Sequence, residues 1–330
     1  MTTPFSDYLA IEAVNWSSLK LMHASPLCYH YYRSRPTPDK PAYQLGRAVH
    51  TAILEPDEFQ SRYTIMSGPQ PNDWRNIGAA QVEGKLGELY AVYDGKVRRG
   101  KAWDAFEADH GTDPRPILLQ KDVDRSVELW ERVGDAEIVT AEQMDTSTVL
   151  ALAVQRHEAA SLHLSGGVAE QTLTWTDPVT GLKCKGRADY ITDRVIDLKT
   201  AREVEPRRFN YAASDYLYHG QIAFYHDGAR LAAREHGHTD PPDMPPMIIA
   251  VQNCPPYDVG VFDIGEETLE AGRRLYRGLL DQLAECLERD EWPGAVPEVV
   301  DLELMYWAAG VENDSDKAAA LTMGGKPMEF

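Results

Sequence analysis

The chain has 330 residues, 43% of them hydrophobic, and a formal net charge of -19 at pH 7. That apolar share is ample for a core and excludes a disordered chain, while the lack of any apolar run near twenty residues excludes a membrane-spanning helix. So acidic a chain is repelled by nucleic acid at long range, and charge alone argues against DNA binding.

The opening Met1-Thr2-Thr3-Pro4-Phe5-Ser6-Asp7 has neither the basic start nor the apolar stretch of a signal peptide, so the cytosol is the expected compartment. A first helix is predicted from Ser17 to about Ala24, broken by Ser25-Pro26. Cys28-Tyr29-His30-Tyr31-Tyr32 is aromatic; its tyrosines suit either core packing or stacking on bases, with the core the plainer choice. Pro36, Pro38 and Pro41 mark a loop. Helical spacing returns from Gln44 to Leu54, where Leu45, Val49, Ala52 and Ile53 share a face and His50 rides along, and Glu55-Pro56 ends it. The glycine-bearing stretch from about Pro69 to Gly111 reads as a loop-rich insertion with one or two helices. Helices are predicted over Asp122–Arg132 and Ala141–His157, the second capped by Thr140 with Gln143 at the third position.

The pattern then changes. Ala169 to Thr176 alternates like a strand, Asp177-Pro178-Val179-Thr180-Gly181 is a turn, and Leu182–Ile191 and Arg194–Lys199 complete an antiparallel meander. Helices follow from Pro206 and over Tyr218–Glu235, then strands Met247–Gln252 and Asp258–Asp263, then an amphipathic helix Glu266–Arg289. Helices before and after a central mixed sheet predict an α/β (α+β) fold, as one domain over 1–310 with an insertion at about 70–135 and a polar, mobile tail at 311–330.

Cys28, Cys184, Cys254 and Cys286 lie far apart with no His at finger spacing, which argues against structural zinc and for reduced, mostly buried thiols. Two groups of cations soften the objection from charge: Lys183, Lys185 and Arg187 before Asp189, and Arg202, Arg207 and Arg208 after Lys199. They form either a basic rim on an acidic body or ordinary solvated surface.

The chemistry concentrates in Gly186-Arg187-Ala188-Asp189 and Asp197-Leu198-Lys199-Thr200. Residues two apart on a strand share a face, so Asp197 and Lys199 point together, and a tight turn at Asp193-Arg194 brings Asp189 back towards Asp197. Two carboxylates converging with a lysine are costly unless a cation joins them, and an oxygen-rich site favours magnesium or manganese. A metal would stabilise charge on a phosphate and activate water, with the lysine orienting that water, a combination suited to phosphodiester hydrolysis. Asp-x-Lys alone fits a surface salt bridge on a hairpin better; the upstream Gly-Arg-x-Asp strengthens the catalytic reading.

Taken with Gly46-Arg47-Ala48-Val49-His50 and Gln221-x-x-x-Tyr225, these segments resemble the RecB-like branch of the PD-(D/E)XK nucleases, in family order and over residues 15–290. Gln44–Pro56, Glu170 with Leu173-Thr174-Trp175-Thr176-Asp177, and Gly220–Tyr225 further resemble RecE-type phage exonucleases. The resemblance implies magnesium, replaceable by manganese, held by Asp189, Asp197 and His50 with Glu170 as a further acidic partner. It makes Lys199 catalytic, with Gln221 and Tyr225 facing the site. Helix packing is the alternative account of the last two. Arg187, Lys185, Arg202, Arg207 and Arg208 become the expected DNA contacts. It implies a three- or fourfold homo-oligomeric ring acting on double-stranded DNA ends beside a single-strand annealing protein. Some relatives hold an iron–sulphur cluster on one early and three late cysteines; Cys28 has no such late trio, so none is expected here. A different RecB-like nuclease and a non-catalytic DNA-end binder are the alternatives.

Overall fold

The computed structural model describes residues 4–35, 40–66, 72–97, 101–238, 243–296 and 298–302. The expected loop at Pro36 and Pro38 and the tail at 311–330 lie outside the described residues. Among the described residues, no helix is long and apolar enough to cross a membrane.

The N-terminal part is a run of short helices: α1 (Phe5–Ala10), α2 (Trp16–Leu19) continued by a 3-10 turn (Lys20–His23), α3 (Pro26–Tyr32), α4 (Pro41–Leu54) and α5 (Pro56–Arg62). The predicted first helix therefore starts earlier and tightens at its end. Asn15 is its cap, accepting from the Ser18 amide at 2.8 Å. The prolines read as breaks also serve as starts: Pro26, Pro41 and Pro56 each occupy the first turn of a new helix, where a missing N–H costs nothing.

The expected insertion is bracketed by β1 (Tyr63–Ile65) and β4 (Glu137–Val139), which pair in parallel. Between them come α6 (Trp74–Val82), α7 (Leu86–Leu89), β2 (Ala91–Tyr93), α8 (Ala102–His110), β3 (Ile117–Leu119) and α9 (Gln120–Val133). This is more regular than a loop-rich stretch. Gly78, read as a loop marker, is a packing glycine: a Cβ there would lie 2.5 Å from the Cβ of Trp130, so α6 and α9 approach closely. Ile77, Ala80, Leu86 and Val123 form a small core of their own.

The helices α10 (Ala141–Arg156), with the expected Thr140–Gln143 capping box, and α11 (Glu158–His163) lead into the main sheet. Its strands are β5 (Val168–Thr176), β6 (Lys183–Ile191), β7 (Val195–Ala201), β8 (Pro246–Gln252) and β9 (Val259–Asp263), in that spatial order. All neighbours are antiparallel except β7 and β8, so the sheet is mixed, as expected. Between β7 and β8 run α12 (Pro206–Asp215) and α13 (Tyr218–Glu235), and α14 (Glu266–Arg289) closes the described fold. β8 is buried from Pro246 to Val251, as an interior strand covered on both faces must be. One layer is α13 and α14, whose Ile222, Phe224, Leu280 and Leu283 pack with Leu173, Trp175 and Ala188. The other is α4 and α10, whose Val49, Leu150 and Val154 meet Ile196, Leu198 and Ile249.

Candidate active site and metal centre

The ladder between β6 and β7 is short. It holds only Ile191 opposite Val195 and Tyr190 opposite Ile196. Continuing that register places Asp189 opposite Asp197, at the fork where the strands part. On the edge β7 vacates, Val14 bridges Cys184 in parallel, its amide donating to the Lys183 carbonyl at 2.9 Å. The fork is reached from both layers, by His50 on α4 and Gln221 on α13.

Asp197 is buried. Its Oδ2 lies 2.6 Å from Lys199 Nζ, and its Oδ1 accepts from Gln221 Nε2 at 3.1 Å. Burial works against the Lys199 charge, but Asp197 and Asp189 outweigh it and hold the ammonium above its ordinary range. Lys199 Nζ also lies 5.0 Å from the Tyr218 ring centroid. Tyr218 was missed by sequence reasoning, although it sits on the helical face of Gln221 and Tyr225, three residues before the former. Asp189 accepts from the Leu198 amide at 2.7 Å, yet burial and the charge of Asp197 push its carboxyl up to about 7.

On the other side of the fork, His50, Glu170 and Asp189 each offer a ligand atom, all within 4.8 Å of one another. His50 Nδ1 is 3.8 Å from Asp189 Oδ2. Burial, and then the nearby Lys199 charge, lower the imidazole pKa, so it presents a neutral lone pair. Glu170 owes its place to strain. Ala169 pairs Tyr190 and Gln171 pairs Ala188, but Glu170 between them has φ 52°. That left-handed conformation costs a non-glycine residue on the order of 1–3 kcal/mol. Arg187 Nε holds the carboxylate at 2.6 Å. Burial and the Asp189 charge nevertheless raise the Glu170 pKa. One imidazole and two carboxylates whose ionisation is disfavoured make a donor set that fits a hard divalent cation, which would restore both negative charges. Asp197 is not one of these three donors; its Oδ2 lies against Lys199 and its Oδ1 accepts from Gln221.

The basic residues divide. Arg202, Arg207 and Arg208 are exposed, at and beyond the end of β7, although Arg208 lies 3.7 Å from Glu203. Lys185 corrects the expectation of a basic rim. Only 4% exposed, it donates through Nζ to the backbone carbonyls of Tyr8 (2.9 Å), Leu9 (3.3 Å) and Ile11 (2.8 Å). The N-terminal segment seated on β6 covers it. Arg187 is a second correction: its side chain is 11% exposed, turned to Glu170 and stacked 5.5 Å from the Phe5 ring centroid. Tyr225 is buried beneath the fork, against Gln221 and Gly186. A Cβ at Gly186 would touch the Tyr225 ring at 3.0 Å, which explains the glycine of Gly-Arg-x-Asp.

No curated protein matches the chain. Among solved structures, a "Putative exonuclease" from Eubacterium rectale is similar, with a TM-score of 0.50 at 13% identity over 94% of this chain and 97% of that one. At that identity the likeness concerns the fold, and it agrees with a mixed sheet between helical layers. Residues 16–301 match the PDDEXK-like domain of unknown function (DUF3799), and by that match, over the span that contains every residue of the fork, the chain belongs to this family.

Proposed function

We propose that this protein is a metal-dependent deoxyribonuclease of RecE type, hydrolysing phosphodiester bonds from the ends of linear double-stranded DNA in phage-type recombination. The observation that carries the reading is the half-buried fork, in which the His50–Glu170–Asp189 donor set lies beside the Asp197–Lys199 pair. Family membership and the exonuclease neighbour's fold support it.

In this reading His50, Glu170 and Asp189 hold magnesium or manganese, with Asp197 able to join once a cation competes with Lys199. Held there, such an ion would supply Lewis acidity to a phosphate and would ease loss of a proton from water. Lys199, held protonated, places a fixed positive charge where negative charge develops on phosphate oxygens. Gln221 fixes the rotamer of Asp197 and thereby aims Lys199. Arg187 holds Glu170 in its strained pose, a role in orienting a ligand from outside the coordination sphere. The cytosol is the proposed compartment and a single-strand annealing protein the proposed partner.

The test is end-labelled linear DNA beside covalently closed DNA, each with magnesium. Cleavage of the linear form alone is expected, with excess chelator abolishing it. Calcium should support binding with little cleavage, because its looser coordination positions water poorly. Equal cutting of closed circles would replace the exonuclease reading with an endonuclease one, and full activity in chelator would remove the metal from the mechanism.

A further inference from the structure

The acidity of the chain is not evenly spread. Residues 13–54 carry five cations, Lys20, Arg33, Arg35, Lys40 and Arg47, against one carboxylate, Asp39, within a protein of net charge -19. This stretch delivers His50 to the fork, and at its other end Lys20 is close enough to Lys199 for the two charges to oppose one another. The 3-10 turn bearing Lys20 packs directly on α3.

At the end of α3 the surface is both aromatic and basic. Tyr31 and Tyr32 are 48% and 53% exposed and meet edge to face, with centroids 4.8 Å apart. Arg35 lies 3.7 Å over the Tyr31 ring, and Arg33 lies 5.3 Å from the Trp292 ring centroid. Lys20, Arg33, Arg35 and Lys40 are exposed, and none has a carboxylate partner among the described residues. Elsewhere arginines are commonly paired, as Arg62 is with Glu55, Arg194 with Asp263 and Arg273 with Asp227. Tyr29, by contrast, is buried and stacked on Trp292, so the core claims one tyrosine of the cluster and leaves two outside.

We propose that this face, from Lys20 to Tyr31, Tyr32 and Arg35, is a track for single-stranded DNA leading away from the fork. Exposed rings with guanidinium groups among them suit unpaired bases, whose faces a duplex hides, and unpaired cations suit the phosphates between those bases. Against a strongly acidic body, such a local basic strip is where a polyanion can approach. The proposal rests on the nuclease reading for its substrate, since one strand must be displaced from an end being digested.

The experiment uses the full chain carrying Lys199→Ala, without divalent metal, so that nothing is cleaved. Fluorescence anisotropy measures binding of a labelled single-stranded oligonucleotide and of a blunt duplex, over a range of salt. Tyr31→Ala with Tyr32→Ala should weaken single-strand binding about tenfold or more, with a much smaller effect on duplex, because each base stacked on an aromatic ring is lost outright. Arg35→Ala should lower the salt slope for the single strand by about 0.7, the share of one phosphate contact. Both sites are exposed, and an unchanged thermal transition verifies folding. Unchanged single-strand binding, or equal loss on single strand and duplex, overturns the track. So does a shift of oligomeric state in the double-tyrosine variant, which would make the occupant a second copy of the chain. Failure of the parent to cleave DNA with magnesium, alongside tyrosine-dependent single-strand binding, would instead sink the nuclease reading and leave the track standing.

Discussion

Lys199 carries its charge into surroundings that would strip it, and two carboxylates keep it there. That balance separates its role from ligand binding. Lys199→Ala should leave metal affinity nearly intact and lower the cleavage rate by on the order of 10²–10³-fold, the usual cost of removing one preorganised group from developing charge. Calorimetric metal titration beside gel-based cleavage measures both, and a variant that cleaves like the parent would remove Lys199 from the chemistry. Arg187 acts one layer further out. Arg187→Met removes the partner of Glu170 at 2.6 Å and leaves a strained residue to relax. Metal affinity should fall by about 10–100-fold, as is typical of outer-sphere partners, with little change in duplex binding measured in calcium. A direct DNA contact would give the opposite pattern. The Asp189–Asp197 convergence was legible in the sequence because a hairpin's register follows from its turn. The roles of Arg187 and Lys185 were not legible, because strand alternation does not reveal which neighbour covers an edge.

At the scale of elements, α13 aims Tyr218 and Gln221 at the fork, and its own position depends on a clamp to α14. Asp227 on α13 accepts from Tyr276 Oη at 2.6 Å and from Arg273 Nε at 3.1 Å, with His226 Nδ1 at 2.9 Å. Burial alone would raise this carboxyl's pKa, but the hydrogen bonds from His226, Arg273 and Tyr276 outweigh it and hold the value at about 2, below the ordinary 3.8. A depressed carboxylate stabilises the fold above its unfolded pKa and loses that contribution as pH falls through its folded one. Asp227→Asn should therefore cost about 2 kcal/mol at pH 7, and the gap from the parent should shrink as pH falls from about 4 towards 2, in urea unfolding at each pH. A gap that stays constant with pH would assign the loss to packing. Long elements with regular apolar spacing, Tyr218–Glu235 and Glu266–Arg289, were read from sequence to the residue. The three-residue strands β1 to β4 escaped, because so short a strand has no period of its own and exists through a partner far along the chain.

For the whole molecule the governing quantity is net charge. A monomer at -19 binds DNA poorly unless its cations are gathered. A closed ring of three or four copies would turn Arg202, Arg207 and Arg208 inward around DNA and leave carboxylates outside, and enclosure would slow release. Light scattering at working concentration should therefore give three or four times the 36.9 kDa chain mass. A monomer that also cuts closed circles would overturn both the ring and the exonuclease assignment while leaving the fork's chemistry in place. The ring is an expectation from resemblance alone, since neither charge nor periodicity specifies a symmetry.

The contact of Lys185 with Tyr8, Leu9 and Ile11 joins the two ends of a long wait during synthesis. At roughly 5–20 residues per second, the first helix emerges on the order of ten seconds or more before the lysine that anchors it exists. His50 likewise emerges well before Asp189, Asp197 and Lys199, and β7 gains its parallel neighbour only when β8 follows. The donors of the fork are thus kept apart by translation itself, and a nascent chain passes most of its growth unable to assemble them.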